Sequence, residues 1–208
     1  MNGSYRHSYL DFLKSIPGFF GIRFDSAPTY HMEGIVGEVE IRRYAPALIA
    51  RVFSIGEHRV AVAAARGKLV DYIDGENDSR ERMGVKSPLF QIYGKSRLFN
   101  APIRKRESPD GWTAAYFLSN SMALASAPLP DDPAITILRI PEALVAILRY
   151  RGNDTWQHRD VARRDLLDIL SGSKWVADDK AYWAVYDQEL SVPFLKRNEV
   201  HVPVASTC

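Results

Sequence analysis

The sequence predicts an α+β fold dominated by antiparallel strands and built from a duplicated β-β-α-β-β unit. Three observations predict it. Two pairs of strand-like runs occur in the same order, an amphipathic helix follows each pair, and a glycine stop closes both helices at the same place.

In the first half, Glu38-Val39-Glu40-Ile41-Arg42 alternates with period two, as a half-buried strand should. After a turn at Ala45-Pro46, residues 47–53 form an apolar run suited to a second strand. Residues 135–148 repeat that arrangement. At an offset of about 96 positions Val39 matches Ile135, Ile41 matches Ile137, Arg43 matches Arg139, and Leu48-Ile49-Ala50 matches Leu144-Val145-Ala146. Val62, Ala65, Leu69 and Ile73 make one face of the first helix and Gly75 stops it. Ala162, Leu166, Ile169 and Leu170 do the same in the second helix, before Gly172. Equal order, spacing and stop signals make duplication the economical account, with pseudo-repeats over about 36–125 and 134–204.

Further strand-like sequence follows each helix, at 112–118 in the first half and at 181–186 and 199–204 in the second. Loop signals lie at 74–82, 107–111, 126–133 and 187–193, and 125–133 links the halves. The expected organisation is an N-terminal extension over 1–20, one domain over 21–204 and a tail over 205–208.

Composition narrows the function classes. With 208 residues, 46% hydrophobic and 25% charged, the chain has the profile of a soluble globular protein. A net charge of +2 is too balanced for a dedicated nucleic-acid binder. Cys208 is the only cysteine, which excludes an intrachain disulfide and a cysteine-rich metal or redox site. No apolar run is long enough to span a membrane. The greasy stretch at 9–20 is broken by Asp11, Lys14 and Pro17, so it reads as a short packing helix rather than a signal peptide. The expected location is the cytoplasm.

Motifs for catalysis are missing. Gly94-Lys95-Ser96 lacks the upstream glycine of a phosphate loop, since Leu89 stands there. The acidic stretch at 74–78 lacks calcium-loop spacing and reads as a helix stop with a solvated turn. No two of His7, His31, His58, His158 and His201 stand at the i, i+4 spacing of a helical metal site. They read as surface or capping residues, with His58 the one candidate axial contact. Arg104-Lys105-Arg106 and Arg163-Arg164 read as solvated basic runs. No nucleophile elbow is present, and no carboxylate pair stands out, so no enzyme is expected.

At Gly37-Glu38-Val39-Glu40-Ile41-Arg42-Arg43-Tyr44-Ala45-Pro46-Ala47 the chain resembles the SOUL haem-binding protein family. The likeness continues through Tyr72-Ile73-Asp74-Gly75-Glu76-Asn77, Trp112-Thr113, Pro128-Leu129-Pro130-Asp131-Asp132-Pro133 and Arg197-Asn198-Glu199-Val200. The resemblance implies a distorted antiparallel β-barrel of two related halves, flanked by two helices. It also implies reversible, noncatalytic binding of haem or another tetrapyrrole in an apolar groove beside the first helix. Val62, Leu69, Ile73 and Val85 are then the candidate apolar contacts, and Arg66, Lys68 and Lys86 the candidate partners for an anion. The chain departs from the family pattern at Val85-Lys86-Ser87-Pro88-Leu89, where the family has Met-Thr-Ala-Pro-Val. Two alternatives stand beside the carrier: a binding or sensing domain for another flat hydrophobic molecule, and a cofactor-independent enzyme acting on one.

Overall fold

The two helices form where the apolar spacing places them. In the computed structural model, which describes residues 28–83, 87–94, 110–119, 122–178, 180–186 and 196–207, helix α1 spans His58–Ile73 and helix α2 spans Trp156–Leu170. Thr155 caps α2, its hydroxyl accepting from the His158 amide at 3.3 Å. Gly75 and Gly172 follow the two helices at φ +113° and +79°, a left-handed conformation that glycine adopts without a Cβ clash.

Ten strands complete the fold among the described residues. They are β1 (Tyr30–Val36), β2 (Val39–Tyr44), β3 (Ala47–Ile55), β4 (Leu89–Tyr93), β5 (Gly111–Ser119), β6 (Thr136–Ile140), β7 (Ala143–Arg151), β8 (Trp175–Ala177), β9 (Tyr182–Val185) and β10 (Arg197–Ser206). All pairings are antiparallel, and the order is β1-β2-β7-β10-β9-β4-β5-β3-β6, with β8 beside β10 off that path. Exchanging β2 with β6, β3 with β7, β4 with β9 and β5 with β10 returns the β2-to-β6 order read backwards. The centre of that order lies between β9 and β4.

The fold is thus α+β with one large antiparallel sheet and two helices, but the sheet does not close into the expected barrel. Its ladder ends at β1 and β6. β1 has the marks of an edge: four exposed residues in succession and a register break between Met32 and Gly34 that interrupts pairing with β2.

Strand alternation sorts the side chains into two apolar clusters. Leu48, Ala50, Trp112, Ala114, Ala146, Leu148, Val200 and Val202 face the helices and pack with Leu69, Ile73, Leu166 and Leu170. Ile49, Phe90, Ile92, Phe117, Val145, Ile147 and Tyr182 point to the opposite face and form the second cluster. That second face also holds charge. Glu199 is fully buried and accepts from Arg197 at 2.5 Å, Tyr186 at 2.8 Å, His201 at 3.0 Å and both Arg149 and Arg42 at 3.3–3.4 Å.

Two readings of the sequence need correction here. His201 does point away from Val200 and Val202, but into this buried network and not to the surface. The turn after α1 is not simply solvated: Asn77 is buried, donates to the Tyr72 and Glu81 carbonyls and accepts from the Glu81 amide. β1, β4 and β8 are strands that the pattern did not single out. The expected N-terminal helix lies outside the described residues.

Candidate functional site

Where β9 meets β4, three adjacent strands bring distant aromatic residues onto the helix side of the sheet. β4 lies between β5 and β9, so Tyr93 stands opposite Trp112 and Gln91 stands opposite Trp183. Side chains two apart on a strand share a face, which puts Tyr93 and Gln91 on the same side. Trp156 joins them from the first turn of α2, and His58 from the first turn of α1.

The rings touch in a chain. His58 lies 4.3 Å from Trp112, Tyr93 lies 5.1 Å from Trp112, and Trp156 lies 5.9 Å from Trp183, all tilted rather than flat. Tyr93 and Trp112 each meet Trp156 edge-on at 6.3 and 6.4 Å. Offset and edge contacts of this kind satisfy the ring quadrupoles. Tyr93, Trp156 and Trp183 line a cavity of about 280 Å³, with Asp160, Arg163 and Lys180 around it. Trp156 is 59% exposed, a large apolar surface left in water.

Polar groups lie beneath the rings. Arg159, almost fully buried, places its guanidinium carbon 5.4 Å from the Trp112 ring centroid and 5.0 Å from that of Trp183. Its Nε donates to Asp154 Oδ1 at 2.5 Å and its Nη2 donates to both Asp154 Oδ2 and Gln91 Oε1. The same Gln91 oxygen accepts from His58 Nε2 at 2.7 Å. Burial, with the Arg159 charge adding to it, lowers the His58 pKa, while the Gln91 hydrogen bond works against that shift. A neutral His58 that gives its Nε2 proton to Gln91 keeps only Nδ1 as a lone pair. Two buried donors beside the recess have no acceptor among the described residues: Arg159 Nη1 and Trp183 Nε1.

A second cavity, of about 520 Å³, flanks the other side of α2. Leu148, Tyr150, Val161 and Ile169 supply its apolar wall, and Glu38, Asp165 and Asp168 its carboxylates. His158 stands there with Nδ1 2.7 Å from the Asn153 carbonyl.

The described ligand contacts named from sequence, Val62, Arg66, Lys68, Leu69 and Ile73, line neither of these cavities. Leu69 and Ile73 are fully buried and Val62 nearly so, all in the cluster beneath the helices. Arg66 is exposed, and Lys68 pairs with Asp132 at the surface. Val85 and Lys86 lie outside the described residues. Of the sequence candidates among the described residues, only His58 joins the aromatic group. The one signal that pointed there was aromatic: three of the four tryptophans converge on it.

Comparison with known proteins decides the family. A family model described as SOUL haem-binding protein matches residues 26–203. The chain belongs to the SOUL haem-binding protein family. No curated protein matches it. Among solved structures, the C-terminal domain of EcmrR superposes with a TM-score of 0.58 at 9% identity, covering 86% of this chain and 99% of that one. A hydrolase encoded by lin2189 from Listeria innocua superposes with a TM-score of 0.55 at 12% identity, covering 81% and 92%. At such identities these likenesses define the shared fold of this SOUL protein and nothing about its chemistry. No helix among its described residues is long and apolar enough to cross a membrane.

Proposed function

We propose that this SOUL protein binds haem or a related tetrapyrrole reversibly and without catalysis, and that the planar ligand stacks in the aromatic recess of Tyr93, Trp156 and Trp183. The exposed indole of Trp156 carries the reading, because a large apolar ring left in water beside a cavity gains most from a flat partner. The recess sits where the two halves of the strand order meet, which agrees with a duplicated origin in which the ligand lies between equivalent units.

The residues fit a conjugated ring better than an iron ligand. Their π-faces suit a macrocycle, and haem iron would add redox and ligand-exchange chemistry to a bound ring. His58, the candidate axial contact, has committed Nε2 to Gln91. Capture therefore rests on ring contact, and iron is not required for it. A volume of about 280 Å³ lies just below the usual range for small-molecule pockets of roughly 300–1,000 Å³. The recess grips one edge of a tetrapyrrole and leaves the remainder open, as suits a carrier that releases its load. The same size favours the second reading, in which a smaller flat aromatic molecule fills the site.

Titration with ferric haem, ferrous haem and metal-free protoporphyrin IX, followed in the Soret band, tests the proposal. Comparable micromolar affinities for all three support ring capture. Failure of all three to bind contradicts it.

A further inference from the structure

Aromatic rings explain how a flat molecule is held, but not why two buried donors beside them lack acceptors. Trp183 is 4% exposed and Arg159 1%, and neither Trp183 Nε1 nor Arg159 Nη1 has a hydrogen-bond partner among the described residues. A buried donor left unmet costs free energy, so such groups in native proteins are usually found to have a partner once a ligand or water is considered. These two belong to neighbouring side chains, the guanidinium carbon lying 5.0 Å from the indole centroid. One of them, Trp183, lines the recess itself.

Charge favours an anion as the missing partner. Lys180 lines the recess, and Asp160, the one carboxylate lining it among the described residues, is already paired with Arg164 at 2.8 Å. Arg159 also occupies the place over the Trp112 and Trp183 rings that a cationic ligand would seek. An organic cation is disfavoured there for the same reason.

We propose, building on the recess as the ligand site, that its ligand is a planar aromatic carboxylate. Its ring stacks against Trp156 and Tyr93, and its carboxylate accepts from Trp183 Nε1 and Arg159 Nη1. A propionate of a tetrapyrrole and the carboxyl group of a smaller aromatic acid share this chemistry. The recess thus selects for an acid-bearing edge and rejects the esterified or neutral analogue, whose oxygen is a poorer acceptor for the guanidinium.

The test compares protoporphyrin IX with its dimethyl ester on the full chain, read by porphyrin emission anisotropy. The free acid is expected to bind on the order of 10-fold more tightly than the ester. Trp183→Phe keeps an aromatic ring, deletes the donor and is expected to reduce the acid-over-ester preference several-fold, the preference and not either affinity being the readout. In the wild-type chain, the Trp183 indole proton resonance moves downfield with the acid and not with the ester, which gives a readout independent of how the variant folds. Equal binding of acid and ester overturns the proposal while leaving the recess as the ligand site. So does a preference that survives in Trp183→Phe. Failure of both porphyrins to bind overturns the proposal and the site together.

Discussion

Gln91 on β4 and Arg159 on α2, 68 positions apart, meet through a 2.5 Å hydrogen bond from Nη2 to Oε1. The same oxygen takes the His58 proton, so one amide ties the starts of both helices to the strand at the centre of the sheet. The aromatic recess stands on this tie.

Gln91→Leu removes that acceptor with little change of volume. Arg159 Nη2 then keeps only Asp154, and His58 turns to solvent. A loss of about 2 kcal/mol is expected, since a buried donor stripped of its partner costs about 1–3 kcal/mol. A urea unfolding midpoint measured beside the wild type checks it, and an unchanged midpoint would show that the amide does not fasten the helices.

Trp156→Ala separates binding from folding. The indole is largely exposed, so its removal should shift Tm by no more than a few degrees. Porphyrin affinity should fall about 10-fold, the equivalent of one aromatic stacking contact of roughly 1.5 kcal/mol. A large drop in Tm, or unaltered affinity, would remove Trp156 from the site.

Lys68→Ala tests the flank of the first helix. Its ion pair with Asp132 is partly exposed, and such pairs contribute about 0–1 kcal/mol. Stability and porphyrin affinity are both expected to stay near wild type. A several-fold loss of affinity would move the ligand toward α1.

Acid sensitivity follows from the second face of the sheet. Burial raises the Glu199 pKa, but the His201 hydrogen bond and the His201, Arg42 and Arg197 charges outweigh it and hold the carboxyl well below the usual range. Burial lowers the His201 pKa against the pull of Glu199. Both groups are depressed in the folded state, so the unfolded chain binds more protons as pH falls. Their stabilisation is complete above about pH 6.5, the ordinary histidine value. It fades first as His201 is called on to protonate, and further below the ordinary glutamate value of 4.5. Urea midpoints should be level from pH 7 to 8 and decline steadily below 6.5. Glu199→Gln leaves Arg42 and Arg197 beside a neutral amide and should cost about 3–5 kcal/mol at pH 7.

The fold was legible because apolar spacing is a local signal. Leu69, Ile73, Leu166 and Leu170 name the helix faces, and Gly75 and Gly172 their ends, without reference to anything distant. β1 was not legible, since an exposed edge strand with a register break carries no clean alternation. β4 was hidden by burial on both faces, which leaves a short mixed run, Leu-Phe-Gln-Ile-Tyr, instead of an alternating one. The candidate site was hidden for a different reason. Tyr93, Trp112, Trp156 and Trp183 are spread over 90 positions and meet only because β4 pairs with both β5 and β9, a long-range fact that no spacing records. Helical periodicity made Val62, Leu69 and Ile73 conspicuous, and the same periodicity is what buries them in the core.

The most direct test is an indole map. The chain has four tryptophans, and Trp175 stands on β8 outside the aromatic chain formed by the other three. With ¹⁵N-labelled tryptophan, titration with protoporphyrin IX should shift the indole resonances of Trp156 and Trp183 most, Trp112 less and Trp175 least. Saturable binding that moves Trp175 alone, or none of the four, would contradict a ligand seated in the recess.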